Sequence, residues 1–160
     1  MKQFTAIAIL LLIPFIGTSQ STTWKKVTPC TFSLEIPVDM KITKMYEDSS
    51  PDYCDYEVSL KDGYSIMELH SMNFSRFDLS TIEEFYNAAL ENSELKVTYH
   101  TMASNFFVFS GINQENGNIV YWKRVLGDSF VSDLHIEYSQ ARKPAIEPYI
   151  ERISKSFISE

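Results

Sequence analysis

Alternating apolar and polar positions predict β-strands in the first half of the chain. Residues Phe32–Ile36 alternate with a period of two, which is typical of a strand with one buried face. Residues Cys54–Leu60 show the same period, and Asp62-Gly63 supplies the turn of a tight hairpin into a strand at Tyr64–Phe74. Two shorter strands are predicted at Trp24–Val27 and Met40–Tyr46.

Two segments have apolar residues at helical spacing instead. The first predicts an amphipathic helix over residues 81–92. Its start carries a capping-box pattern, in which the Ser80 oxygen accepts from a free backbone amide and Glu83 reaches back. The second predicts a C-terminal helix that begins near Glu147, because Pro148 suits the first turn of a helix and breaks its interior.

Four strand-like segments separate the two helices, and short turns join them. Asn116-Gly117 predicts a type I′ hairpin, since both residues tolerate a positive φ, and Gly127-Asp128 marks the next reversal. This order predicts an α+β fold, a mainly antiparallel β-sheet flanked by helices. The four segments are Leu95–Met102, Phe106–Ile112, Ile119–Leu126 and Phe130–Tyr138.

The N-terminus has the layout of a secretory signal peptide. Lys2 precedes an apolar run at Phe4–Ile16, and small residues at Gly17–Ser19 suit cleavage before Gln20. We therefore expect a signal peptide at residues 1–19 and one soluble, exported domain at 20–160, periplasmic or secreted. The apolar run is too short for a comfortable membrane span, and no cysteine follows it directly, so we expect neither a transmembrane segment nor a lipoprotein.

The composition and the net charge of the chain argue against two classes of binding partner, nucleic acids and anionic membranes. The chain has 160 residues, of which 44% are hydrophobic, and its net charge is −7. A packed globule is expected from this hydrophobic content rather than disorder. An acidic chain without a basic cluster repels phosphate backbones and anionic lipids, which argues against binding to nucleic acid or to an anionic membrane.

The two cysteines, Cys30 and Cys54, leave two alternatives open. Both lie on the apolar parity of their strands, and an exported protein can join them in a disulfide. Such a bridge closes a loop of about 25 residues and adds roughly 3 kcal/mol of stability. The alternative is a pair of buried free thiols, which are common in protein cores.

Several segments together resemble a known superfamily. They are the Phe32-Ser33-Leu34-Glu35-Ile36-Pro37 strand, the middle helix at Leu79–Asn92 and the terminal helix ending Ile150-Glu151-Arg152-Ile153-Ser154-Lys155-Ser156-Phe157. The layout resembles the PsbP-like superfamily, which includes the photosystem oxygen-evolving subunit, the Ran-binding Mog-type proteins and the DcrB-type envelope proteins. The resemblance implies an α/β/α sandwich and a non-enzymatic binding or assembly module. It supplies no catalytic residue and no cofactor.

One strand carries the sharpest candidate chemistry. Asp133, His135 and Glu137 are alternate residues and therefore share a face. Two of them are able to clamp a cation if another strand contributes a ligand, with His100, Glu68 or His70 as candidates. The alternative is a solvated strand face. Glu68 and His70 also share a face, but no nucleophile signature accompanies them.

Aromatic residues form the second candidate site. Phe106, Phe107 and Phe109 place rings on both faces of one strand, as a central strand covered on both sides would. The alternative is a ligand or partner patch formed by Trp122, Arg124 and Tyr121 on the neighbouring strand.

We therefore expect an exported, non-enzymatic binding or assembly module of the cell envelope, without a cofactor. Its partner is expected to be an envelope or secreted protein, or a small ligand. The alternative function is a metal-assisted hydrolase that uses His135 with Asp133 or Glu137 and a cross-strand histidine.

Overall fold

The computed structural model describes residues 22–45, 52–60, 65–77, 79–91 and 93–160. The predicted signal peptide at 1–19 and the predicted turn at Asp62-Gly63 lie outside these residues. None of the described helices is long and apolar enough to cross a membrane. The described elements are β1 (Trp24–Val27), β2 (Phe32–Pro37), β3 (Ile42–Lys44), β4 (Tyr53–Ser59), β5 (Ile66–Asn73), α1 (Ile82–Glu91), β6 (Leu95–Met102), β7 (Phe106–Asn113), β8 (Ile119–Leu126), β9 (Phe130–Tyr138), α2 (Lys143–Ser156) and β10 (Ile158–Ser159).

Two antiparallel sheets organise these elements. The larger sheet has the strand order β3-β4-β5-β9-β8-β7-β6, and the smaller one has the order β1-β2-β10. The chain leaves the large sheet after β5, forms α1, and returns at the far edge as β6, so β9 comes back to pair with β5. This arrangement confirms the predicted α+β class.

Each face of the large sheet has its own core. On one face, α2 and the small sheet cover the sheet, and their largest buried side chains include Phe32, Phe157 and Leu134. On the other face, α1 packs Phe85 against Phe107 and a few apolar neighbours. The result is a layered α/β/α sandwich in which the second core is the smaller one.

The capping box at the start of α1 lies one residue later than predicted. The backbone N–H of Glu84 donates to the Thr81 hydroxyl at 3.2 Å, and the Thr81 N–H donates to the Glu84 carboxylate at 2.9 Å. The Glu84 carboxylate also accepts from the Ser80 N–H, and these amide donors lower its pKa. Ser80 and Glu83 were therefore the wrong pair, because the adjacent Thr81 and Glu84 fit the same spacing.

The predicted type I′ turn between β7 and β8 is also wrong. Such a turn needs a positive φ at Asn116 as well as at Gly117. Gly117 has φ 75°, whereas no non-glycine residue in the described ranges has a positive φ. The Asn113 N–H donates to the Asn118 carbonyl at 2.9 Å, and the loop between them is stabilised by the side chains of both Asn113 and Asn116.

α2 begins at Lys143, four residues before the predicted start at Glu147. The earlier start brings Ile146 into the buried stripe, where it is 1% exposed. Pro148 removes one intrahelical hydrogen bond from the helix. Its ring lies on the exposed side of the helix, so burial of Ile146 and Ile150 prevails over that loss.

The structure joins Cys30 and Cys54 in a disulfide with an S–S distance of 2.10 Å. The bond ties the segment that leads into β2 to β4 of the large sheet. The Tyr56 hydroxyl donates to the Pro29 carbonyl at 2.7 Å, and the Thr31 and Ser71 hydroxyls lie 2.6 Å apart. The small sheet is therefore fixed to the large one at this point.

A buried lysine holds the end of α2. Lys123 is 8% exposed, and its Nζ donates to the carbonyls of Ser154 at 2.6 Å and Phe157 at 3.1 Å. No described carboxylate lies within 4.0 Å of its ammonium group. Burial consequently lowers the pKa of Lys123 from 10.5 to about 8.

This pKa predicts that the protein becomes more stable in mild alkali. Between pH 8 and pH 10.5 the unfolded chain binds more protons at Lys123 than the folded chain does, so stability rises with pH. We expect a gain of about 2 kcal/mol in the free energy of unfolding between about pH 7.5 and about pH 9.5, measured by denaturant titration. Burial raises the pKa of Tyr121 and, to about 12, of Tyr138. Their opposing contributions begin as the unfolded tyrosines ionise near their ordinary pKa of 10.0, so they fall mainly above this window.

The matched variants are Lys123→Met, which should lose the rise, and Lys155→Met, which should retain it. Lys155 is 76% exposed, and its one ion-pair partner among the described residues is Glu151 on its own helix. A wild-type free energy that stays flat across this pH range would contradict the lowered pKa of Lys123.

Candidate functional site

α1 covers only part of its face of the large sheet, and the remainder forms an open groove of about 410 Å³. We call it the α1-side groove. It runs from β5 and β9, past Trp122 on β8, to the segment that joins α1 to β6. Its lining residues are Glu68, His70, Ser93, Glu94, Leu95, Asn113, Val120, Trp122, Asp133, His135 and Glu137.

Asp133 is held by donors from β8. The Arg124 guanidinium forms a two-pronged hydrogen bond with its carboxylate, at 2.8 Å and 2.7 Å, and the Trp122 indole N–H donates at 2.9 Å. The side chains of Arg124 and Asp133 are only 16% and 17% exposed. The Arg124–Asp133 ion pair is strong because it has two parallel hydrogen bonds and is largely buried.

Aromatic rings enclose the Arg124 end of that pair. Its guanidinium carbon lies 5.3 Å from the ring centre of Phe85 on α1 and 5.2 Å from that of Trp122. Phe107 lies at 6.0 Å. These distances are typical of cation–π contacts. Arg124 therefore stabilises the wall of the groove through its contacts with Asp133 and the rings.

Glu137 is also engaged. Its carboxylate accepts from the side-chain amides of Asn116 at 2.7 Å and Asn118 at 2.8 Å, both in the β7–β8 loop. Asp133, His135 and Glu137 thus share one face, as the alternation predicts, but each has a different neighbourhood.

Glu68 is the meeting point of two histidines. Its carboxylate lies 3.5 Å from His135 Nδ1 on β9 and 3.9 Å from His70 Nε2 on its own strand. The other ring nitrogen of His70 makes a short contact with Asp55, a carboxylate that is 5% exposed. An Asp–His–Glu–His chain therefore crosses strands β4, β5 and β9.

The electrostatic environment of His135 favours its neutral form. Burial lowers the pKa of His135, and this effect outweighs the opposing attraction of Glu68 and the other nearby carboxylates. Near neutral pH, His135 is consequently uncharged and does not neutralise Glu68.

The structure separates His100 from this cluster. His100 lies opposite Phe109, which in turn lies opposite Trp122 and then His135, so three strand spacings of about 4.8 Å intervene. Its Nδ1 lies 3.0 Å from the Tyr86 hydroxyl of α1. Among the described residues, no three His, Cys, Asp or Glu side chains are placed to hold one metal ion.

Tyr121 lies on the opposite face from Trp122 and Arg124. Its hydroxyl contacts the Ser154 hydroxyl of α2, and its ring lines a second groove of about 480 Å³ that also includes Tyr99 and Tyr138. The three aromatic and cationic residues predicted to contact a ligand therefore do not converge. Trp122 lines the α1-side groove, and Arg124 contacts the groove residues Asp133 and Trp122. Tyr121 lines the second groove, on the other face of the sheet.

Parts of this groove were predicted from the sequence. Glu68 and His70 were placed on one face of a strand, and both were alternatives to His100 as cross-strand partners of His135. The pairing of β5 with β9 places Glu68 opposite His135, which is 67 residues later in the sequence, and no local pattern predicts that pairing. Leu95 and Asn113 at the other end carried no signal, because they are ordinary strand residues.

Solved structures with similar folds support this architecture. The solution structure of cyanobacterial PsbP (CyanoP) from Synechocystis sp. PCC 6803 matches with a TM-score of 0.53 and 10% identity, over 90% of this chain and 96% of that one. The crystal structure of the Saccharomyces cerevisiae Ran-binding protein Mog1p matches with a TM-score of 0.54 and 10% identity, over 86% and 95%.

Sequence comparison adds no closer relative. No protein-family model matches the chain, and no curated protein matches it in sequence. At 10% identity, a structural match is evidence for the fold and leaves function to the site. The chain therefore has the fold shared by cyanobacterial PsbP and yeast Mog1p, as the resemblance predicted.

Proposed function

We propose that this protein is an exported, non-enzymatic binding module and that the α1-side groove is its binding site. One observation carries the proposal. An indole, two apolar side chains and several polar side chains line the same open groove, and they come from five strands that are distant in sequence. Binding sites for small ligands combine an apolar wall with a few placed polar groups in this way.

Export is supported by two independent features. The N-terminal sequence has the signal-peptide layout, and the disulfide between Cys30 and Cys54 suits an oxidising compartment. The fold also occurs in the yeast Ran-binding protein Mog1p, so a binding role is compatible with it. The ligand is a small molecule or the side chain of a partner in the envelope.

A substitution that fills the groove should abolish ligand binding. We expect a panel of cationic, neutral and anionic metabolites to contain compounds that raise the thermal midpoint of the wild-type protein. Leu95→Trp places a bulky ring at one end of the groove and should remove this effect. Tyr99→Trp is the matched control, because Tyr99 lies on the same strand but lines the second groove.

Two results would count against the groove. One is a panel in which no compound raises the wild-type midpoint. The other is a set of ligands whose effect survives Leu95→Trp but disappears in Tyr99→Trp, which would move the binding site to the α2 side of the sheet.

A further inference from the structure

The α1-side groove is electronegative. Four of its lining residues are carboxylates, and none of the described lining residues is lysine or arginine. Arg124 lies behind the wall and neutralises Asp133, and two asparagine amides satisfy Glu137. Glu68, Glu94 and Glu137 therefore keep their negative charges, and because amide donors already occupy the Glu137 carboxylate, Glu68 and Glu94 are the two more open to a ligand.

Among the residues that the structure describes, Glu68 has no permanent counter-ion. The partners within 4.0 Å of its carboxylate are the rings of His70 and His135, which are cations only when they are protonated. Burial keeps His135 neutral near neutral pH. Glu68 itself is 52% exposed and borders the groove, so an incoming cation reaches it without displacing a protein side chain.

The two carboxylates lie at opposite ends of the groove. Glu68 is on β5, and Glu94 immediately precedes β6, four strands away. The residue of β6 that is level with Glu68 is His100, six residues after Glu94, so Glu68 and Glu94 lie diagonally across this face of the sheet. The stretch between them is walled by Trp122, Val120 and Leu95. α1 ends at Glu91 and its chain enters the groove at Ser93, so the partial negative charge of the helix C-terminus adds to the Glu94 end.

The separation of Glu68 from Glu94 favours an extended organic cation over a metal ion. A metal ion requires three or more ligands at one point, and the described residues offer no such group. An aliphatic chain with ammonium groups requires one carboxylate for each charge and an apolar surface between them. Trp122 provides part of this apolar surface, because the face of an indole attracts both methylene groups and cations.

We propose that the α1-side groove binds an extended alkylammonium ion, with one ammonium group at Glu68 and another towards Glu94. The methylene chain lies along Trp122 and Leu95. This assignment rests on the proposed binding function and specifies its ligand class. The same chemistry is found in a free polyamine and in lysine side chains of a partner, and the experiment separates these sources.

Calorimetric titration of the oxidised protein with spermidine tests the assignment. We expect saturable binding to the wild-type protein, and Glu68→Gln should weaken it roughly tenfold, the loss typical for one charge-assisted hydrogen bond. Glu94→Gln should weaken it as well. Glu115→Gln is the matched control, since it removes the same charge from the exposed β7–β8 loop and should leave the dissociation constant within about twofold.

Tryptophan fluorescence gives a second measurement of binding that does not depend on the heat of the reaction. The chain has two tryptophans, so a Trp24→Phe variant reports Trp122 fluorescence alone. Spermidine should change this emission, and an uncharged diol of similar length should not. A Lys-Lys dipeptide blocked at both ends is the second arm. Tighter binding of the dipeptide indicates a lysine-bearing partner, and tighter binding of spermidine indicates a free polyamine.

The outcomes separate this assignment from the broader proposal. If neither probe binds, or if Glu68→Gln and Glu115→Gln behave alike, the alkylammonium assignment is wrong. Neutral or anionic compounds that respond to Leu95→Trp would then still support binding in the groove. If no compound responds to Leu95→Trp, both proposals fail.

Discussion

Replacing Asp133 by alanine is expected to lower the free energy of unfolding by about 3 kcal/mol. The substitution leaves the Arg124 guanidinium, only 16% exposed, without its counter-ion between the rings of Phe85 and Trp122. It also deprives the Trp122 indole N–H of its acceptor. For a domain of this size, such a loss lowers the thermal midpoint by about 6–12 °C, which calorimetry measures directly.

Two further variants separate the ion pair from surface effects. The double variant Arg124→Met/Asp133→Leu should recover most of the loss, because it removes both buried charges together and keeps the apolar volume. Glu151→Ala should change stability by less than about 0.5 kcal/mol, since Glu151 and its partner Lys155 are each about 75% exposed. A double variant that is less stable than Asp133→Ala would refute this account of the pair.

The ion pair also explains why a polar groove exists beside an aromatic core. Arg124 contacts Phe85 and Phe107 beneath α1, whereas Asp133 lies on the side where α1 no longer covers the sheet. The pair thus lies at the boundary of the second core. Trp122 spans the same boundary, with its ring against Phe107 and its N–H directed to Asp133. These contacts therefore fix the positions of the side chains that form the wall of the groove.

The strands and the class of the fold could be predicted because they depend on local patterns. A period of two residues locates β2, β4 and β9 within a residue or two of their observed ends. The start of α2 could not be predicted in the same way. Pro144 fits the first turn of a helix that begins at Lys143, whereas Pro148 favours a later start, and the burial of Ile146 against the sheet favours the earlier one.

The site was less predictable, since it depends on strand order. The alternation correctly placed Asp133, His135 and Glu137 on one face, but it did not indicate which strand would lie beside them. His100 and His70 were equivalent candidates in the sequence. The order β5-β9-β8-β7-β6 puts His70 next to the cluster and His100 three strands away. Similarly, Tyr121 and Trp122 are adjacent in sequence and therefore face opposite sides of the sheet.

Reduction of the disulfide between Cys30 and Cys54 is expected to destabilise the protein by about 3 kcal/mol. The two cysteines are 24 residues apart, so reduction releases a long loop and increases the conformational entropy of the unfolded chain. The bond also connects the segment before β2 with β4 of the large sheet. Denaturant titrations of the oxidised protein, with and without a thiol reductant, measure the difference.

A Cys30→Ala/Cys54→Ala variant identifies the source of that difference. It should match the reduced wild-type protein in stability and should not respond to the reductant. Thr31→Val is the matched control at the same junction, since it removes the hydroxyl contact with Ser71 and keeps the disulfide. We expect it to cost about 1 kcal/mol and to remain sensitive to the reductant. Equal stability of the oxidised and reduced wild-type proteins would show that the bond does not stabilise the fold.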